Sequence, residues 1–162
     1  MSDYIQDEKS RLEQEAGREE LKEQIRLHKA AVIRAKVPDF WNVVIQKLKA
    51  DCERCAATFP NNGQRNPILT EKENGFQLRN TGFPARVFDA VLRVEGLFVK
   101  VLRRGQSDQY SPIQDAGQED IRIEVDSSED IRLVTSQWEL FQTPEDVAQY
   151  FISAVCQFKR FV

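Results

Sequence analysis

Two alternating runs of residues around Glu95-Gly96 constrain the fold more than any other part of the sequence. In ARVFDAVLRVEGLFVKVLRRG, residues 85–105, apolar side chains recur at every second position, which is the period of a β-strand. A two-residue turn between the runs pairs Leu92 with Val99, and one face of the predicted hairpin is then almost entirely hydrocarbon. We therefore expect an antiparallel sheet with one buried face.

The opposite face of this hairpin mixes cationic and apolar side chains. In one interpretation the long stems of Arg and Lys cover apolar surface while their charges stay in water. In the other, the face binds a ligand such as single-stranded nucleic acid. The first is favoured, because only one aromatic ring is well placed for stacking and the cationic field is sparse. The candidate binding residues under the second interpretation are Arg86, Arg93, Phe98, Lys100, Arg103 and Arg104.

The same period of two predicts further strands. They lie around Phe76, over residues 121–125 and 131–134, and at a last short segment, 138–141, which gives a sheet of about five to six strands. Residues 105–120 are polar and aperiodic, and we expect a mobile loop there. The pair Thr143-Pro144 predicts the start of a C-terminal helix that packs on the sheet.

The N-terminal third has helical patterns. Residues 7–36 favour a first helix, Pro38 is expected to end it, and residues 40–59 favour a second helix antiparallel to the first. The first helix has one narrow apolar seam that fades upstream, so residues 1–20 are expected to fray or to need a partner. The seam consists of Leu21, Ile25, His28, Val32 and Ala35.

Helices followed by successive antiparallel strands and a final helix indicate the α+β class. The length of 162 residues suits one domain spanning residues 1–162. We therefore predict an α+β domain with an N-terminal helix pair, an antiparallel sheet and a C-terminal helix on that sheet.

A metal site is considered and not favoured. Cys52, Cys55 and Cys156 with the single histidine, His28, would form a Cys₃His zinc set if the helices converged. Core packing is the favoured explanation, because both thiols of the C-x-x-C pair fall on the apolar stripe of the second helix and His28 falls on the seam of the first. No cofactor is expected, since the glycines are too dispersed for a phosphate-binding loop.

Charge and composition limit the partners. The net charge is −3, from 23 basic and 26 acidic residues, so no global positive field attracts nucleic acid or an anionic membrane. No apolar run is long enough to span a bilayer, and the N-terminal residues lack the apolar region of a signal peptide. An odd number of cysteines without such a signal indicates reduced thiols, and we expect a cytoplasmic protein.

These observations predict a non-enzymatic interaction or accessory domain that self-associates or binds a protein partner through its first helix and its sheet. One alternative is a single-stranded nucleic-acid-binding module that uses the mixed hairpin face. A second is an enzyme or small-ligand binder with a pocket between sheet and helices. The aromatic residues expected to line that pocket are Trp41, Trp138, Tyr150 and Phe151.

Overall fold

The structure, a computed structural model, describes residues 3–159 and confirms the α+β class. A long helix precedes seven antiparallel strands, and a shorter helix follows them. The elements are α1 (Tyr4–Thr58), β1 (Pro67–Lys72), β2 (Gly75–Asn80), β3 (Arg86–Arg93), β4 (Phe98–Gly105), β5 (Gln114–Val125), β6 (Ile131–Val134), β7 (Leu140–Phe141) and α2 (Pro144–Cys156).

The predicted helix pair is wrong, because α1 is one helix of 55 residues that continues through Pro38. A proline inside a helix costs about 3 kcal/mol, since it removes one backbone hydrogen bond and crowds the preceding turn. Val37, Trp41 and Val44 continue one buried stripe across the proline, and each is worth about 1.5–3 kcal/mol when fully buried. Pro38 is itself exposed, on the side where water can bond the unpaired carbonyl. The burial therefore outweighs the local penalty.

The buried face of α1 differs from the predicted seam. The side chains that reach the core are Ala30, Ile33 and Val37, whereas Leu21 and Ile25 are about half exposed. The seam was expected to face a second helix, and without a helix pair that partner does not exist. Its residues instead lie beside the turn between β5 and β6.

The sheet is a simple meander in which each strand pairs with the next along the chain. The predicted hairpin register is confirmed, with Leu92 opposite Val99 and Arg93 opposite Phe98. The strand that the sequence analysis missed is β1, at one edge of the sheet. Only Pro67 of β1 is fully buried, so the strand lacks the clear alternation that a half-buried strand shows.

Residues 105–120 are not a single loop, because β5 already begins at Gln114 and extends for 12 residues. The first part of β5 pairs with the end of β4 but stays exposed on both faces. A strand segment without a buried face needs no alternation of apolar residues, which explains the missing pattern. Gly117, at φ +127°, adjoins the register shift between β4 and β5 and takes a backbone conformation that other residues rarely adopt.

Both helices pack on the same face of the sheet, which we call the inner face. The C-terminal helix α2 begins as predicted, with the Thr143 hydroxyl accepting a hydrogen bond from the Asp146 amide at 3.1 Å. Phe151 of α2 is fully buried and contacts Phe76 edge to face, with ring centroids 5.1 Å apart. The opposite face of the sheet, the outer face, is covered by neither helix.

Replacing Pro38 by alanine is expected to stabilise the fold by about 1–3 kcal/mol, because the substitution restores a helical N–H donor and removes ring crowding. Chemical denaturation of the full chain followed by circular dichroism measures the change. Asp39→Ala, at the next exposed position of α1, is the matched control and is expected to change stability little. Equal or lower stability of the Pro38→Ala variant would contradict this account of the helix.

Candidate functional site

The six candidate binding residues do not share one surface. Strand pairing places four of them, Arg93, Phe98, Lys100 and Arg104, on the outer face, at positions that alternate with buried core residues. Arg86 and Arg103 point to the inner face beside α2. The guanidinium of Arg86 bonds the Ala154 carbonyl at 3.2 Å. The structure therefore divides the proposed set between two surfaces.

On the inner face, Arg103 belongs to a hydrogen-bonded cluster with a buried carboxylate. Its guanidinium donates to Glu119 and, at 2.8 Å, to the Tyr150 hydroxyl, and it lies 5.5 Å from the ring centroid of Phe88. Glu119 also accepts from the amide and hydroxyl of Ser136 at 3.3 and 3.2 Å. Both oxygens of this carboxylate are thus engaged, so the cluster ties α2 to the sheet.

A cleft of about 590 Å³ opens beside this cluster, where the sheet extends past α2. Arg86 and Arg103 contribute to its walls together with Gln106 and Gln114. This cleft is not the pocket that the sequence predicts between sheet and helices. The four aromatic residues expected to line that pocket do not come together. Trp41, Tyr150 and Phe151 belong to the packed core, whereas Trp138 is 76% exposed on the far side of the sheet.

On the outer face, Asp89 forms the centre of a charged network. Its carboxylate accepts from Lys72 and Gln77 at 3.1 Å and from Arg104 at 3.0 Å. Burial opposes ionisation of Asp89, but the hydrogen bonds from Lys72, Gln77 and Arg104 outweigh it, and the pKa of this carboxyl is lowered. Arg104 is therefore held by a structural ion pair and not displayed as a free cation.

Cationic side chains nevertheless outnumber acidic ones at the strand positions of the outer face. The cations are Lys72, Arg79, Arg93, Lys100, Arg104, Arg122 and Arg132, and the acids are Asp89, Asp115, Asp120 and Glu124. Among the described residues, neither Arg79 nor Arg93 has an ion-pair partner. This face is thus a local positive surface on a chain whose net charge is −3.

Sequence reasoning missed Trp138 as a surface residue. It was expected on the inner face of a last short strand, lining a pocket or the core, but it stands in the turn between β6 and β7 at φ +64°. The guanidinium of Arg122 lies 4.8 Å from the centroid of its ring. A bulky residue in the left-handed region is unusual, and the sequence gives no signal for it.

The zinc set is not assembled. Because α1 is continuous, 24 residues of helix separate His28 from Cys52, a rise of roughly 36 Å. His28 is exposed, with its Nε2 2.8 Å from a carboxylate oxygen of Glu129. The interpretation of His28 as a core side chain is therefore wrong as well, and within residues 3–159 no group of metal-ligating side chains comes together.

The three thiols lie between α1 and α2 in and around the core. Burial, reinforced by the charges of neighbouring thiols, raises the pKa of Cys52 and of Cys156 to about 12. Burial also raises the pKa of Cys55. Thiols with raised pKa values are poor nucleophiles at neutral pH, which argues for a packing role.

The N-terminal half of α1 is the most exposed part of the structure. Residues 4–29, which we call the arm, have no buried side chain, and only the end of the arm lies beside the β5–β6 turn. Exposed apolar side chains form a distal patch near the start of the arm and a proximal patch near its end. The distal patch is Tyr4, Ile5, Leu12 and Ala16, and the proximal patch is Leu21, Ile25 and His28. The proximal patch and Val32, which packs against the core, border a groove of about 350 Å³ beside the β5–β6 turn.

No protein-family model matches the chain, and comparison with curated proteins and with solved structures found no similar protein. Neither helix, over the described part of the chain, has the length and apolar character that crossing a membrane requires. Function must therefore be inferred from the surfaces described above.

The native thiols are expected to react slowly with an alkylating or disulfide reagent at pH 8. For Cys52 and Cys156, a pKa of about 12 lowers the thiolate fraction by up to about a thousandfold relative to an ordinary thiol. Thiol counting by mass spectrometry, with denatured protein as the control for three accessible cysteines, measures this. A thiol that reacts in the native state as fast as in the denatured state would contradict burial of that side chain.

Asp89→Asn is expected to destabilise the fold by about 1–3 kcal/mol at pH 7, because the hydrogen bonds from two cations lose their charged acceptor. The folded pKa of Asp89 is lowered, so its ionised form stabilises the fold above the unfolded value of about 3.9. That contribution disappears as the pH falls through the folded pKa.

Unfolding free energies of wild type and Asp89→Asn, measured across this range, are therefore expected to converge at acidic pH. Glu53→Gln, on an exposed side chain of α1, is the control carboxylate-to-amide change and is expected to have little effect. A stability difference that stays constant down to the lowest pH would contradict the ionic role of Asp89.

Proposed function

We propose that this protein is a non-enzymatic interaction domain that self-associates through the arm, which pairs antiparallel with the arm of a second copy. The supporting observation is that half of α1 makes no core contact while it presents two apolar patches to solvent. An isolated helical segment gains most of its stability from packing, so a long helix without a packing partner favours a partner outside the chain.

The arm keeps its helical form through local pairs of charges. Arg11 bridges Glu8 and Glu15, and Arg26 pairs with Glu23 at 2.5 Å. Such exposed pairs contribute only about 0.2–0.5 kcal/mol each, enough to favour helix but not to replace tertiary packing. At about 1.5 Å per residue the arm is roughly 39 Å long, which gives a second helix room for several turns of contact.

The distribution of charge favours a second copy as that helix, in antiparallel orientation. Acidic residues crowd positions 7–23, whereas basic residues concentrate at positions 26–36. Two copies related by a two-fold axis set the acidic segment of each arm beside the basic segment of the other. A parallel pair would place like charges side by side.

The groups most able to do chemistry have structural roles, which supports a binding function over catalysis. Glu119 is fully hydrogen-bonded, the pKa values of Cys52 and Cys156 are raised, and His28 contacts Glu129 at the surface. Three free thiols in and around the core also suit a reducing compartment, and the proposal places the protein in the cytoplasm.

The double variant Leu12→Glu with Ile25→Glu tests the proposal, because it puts a charge into each apolar patch of the arm. Both side chains are about half exposed, so the folded chain tolerates the change. Residues 12 and 25 lie on different sides of the helix, so a helix pair formed through either patch would have to bury one carboxylate of each copy. Light scattering after gel filtration is expected to show a dimer for wild type and a monomer for the variant, with unchanged circular dichroism.

The matched control is Val43→Glu with Ile68→Glu, which charges two exposed apolar side chains outside the arm and should leave the dimer intact. A wild-type protein that is monomeric at the highest soluble concentration would refute self-association. So would a dimer that the arm variant leaves unchanged.

A further inference from the structure

We propose that the outer face of the sheet is a binding surface for single-stranded nucleic acid, with Trp138 and Phe98 stacking bases and Arg93 contacting phosphates. This site is distinct from the arm, lies on the opposite side of the sheet from both helices, and does not depend on self-association.

Trp138 is the first observation behind the proposal. Its side chain is 76% exposed, although tryptophan is among the most costly side chains to leave in water. Its backbone has a φ of +64°, a conformation that costs free energy for a bulky residue. With Arg122 against the ring, so high an exposure leaves the other face of the indole open to a planar ligand.

Residues paired across neighbouring strands form a row beside Trp138 on the outer face. Arg93 of β3 pairs with Phe98 of β4, which pairs with Arg122 of β5, and the row continues through Val134 of β6 to Leu140 of β7. Neighbouring strands lie about 4.8 Å apart, so Phe98 lies between two cations, and Trp138 adds a second ring on the far side of Arg122. Arg93 and Arg122 are exposed and Phe98 is partly exposed, so this part of the row is open to solvent, whereas Val134 is buried.

The charge of the surrounding face complements a phosphate backbone. Cations exceed acids at its strand positions, and Arg93 and Arg79 have no ion-pair partner within the described residues. Single-stranded nucleic acid is bound by this combination, a positive track with ring faces that accept any base. An acidic peptide would use the cations but would leave the indole face without a planar partner, and peptides that extend sheets bind at edges. Nucleic acid therefore fits more of the surface.

The test uses the full-length chain and a single-stranded oligothymidylate of about 16 nucleotides, the upper end of the usual site size. Trp41 is 5% exposed and Trp138 is the only other tryptophan, so quenching of intrinsic fluorescence reports base stacking on Trp138. Anisotropy of a labelled oligonucleotide gives the affinity. We expect saturable quenching at low salt and affinity that falls steeply as salt is added.

The variants separate stacking from charge. Trp138→Ala is expected to weaken binding about five-fold or more, and Trp138→Phe, which keeps a ring, to restore most of it. Arg93→Gln is expected to reduce the slope of log affinity against log salt by about 0.7. Arg54→Gln removes the same charge from an exposed position on α1 and should change neither quantity.

Absence of quenching and of anisotropy change for wild type at low salt would overturn the proposal. Equal losses for Arg93→Gln and Arg54→Gln would also overturn it, because the binding would then be non-specific attraction. Competition by polyglutamate at equal charge, with the same sensitivity to Trp138→Ala, would reassign the face to acidic polypeptides. The arm variant Leu12→Glu with Ile25→Glu should bind the oligonucleotide normally, which keeps failure of this site distinguishable from failure of self-association.

Discussion

The structure depends on the burial of one sheet face under one continuous stripe of α1 and the apolar side of α2. Strand alternation places Phe76, Ala90 and Val101 on the inner face of the sheet. The helical period places Val44 and Phe151 on the helix faces that pack against it, and all five side chains are fully buried. Neither set can be buried alone, since a sheet face or a helix stripe needs a second layer. This mutual burial explains why α1 tolerates a proline in its middle, because breaking the helix there would expose the stripe.

The same constraint explains which features could be predicted from the sequence. The β3–β4 register followed from alternation because Leu92 and Val99 face the core, and the start of α2 followed from Thr143 and its neighbours. Strand prediction failed where no buried face required apolar and polar residues to alternate. The first half of β5 is exposed on both faces, and β1 is an edge strand, so neither carries a clear period. Pro38 led to a wrong helix end, because the local tendency of proline to end a helix competed with the tertiary packing of α1, which no local pattern reveals.

The candidate surfaces were predicted less well than the fold, because the cations of the hairpin were grouped as one patch although the predicted register divides them between two faces. Arg103 was grouped with Arg93 by proximity in the chain, yet the two lie on opposite faces of the sheet, and Arg103 is bound to a carboxylate 16 residues away. The exposure of Trp138 was missed for a different reason. Its place in a predicted strand suggested the inner face, and only the turn geometry after β6 places it outside.

The two proposed surfaces are physically compatible because charge is segregated between them. The arm begins with an acidic segment and leaves the inner side of the sheet, whereas the cationic row lies on the outer side. An acidic arm repels a phosphate backbone, so a nucleic acid that approaches the molecule is directed to the outer face, within the roughly 8–10 Å over which such fields act in salt. Pairing of two arms would then leave one outer face free on each copy, and a strand long enough to reach both would bind with an effective concentration set by the arms. Self-association would in this way increase the avidity of two individually weak sites without any new contact between them.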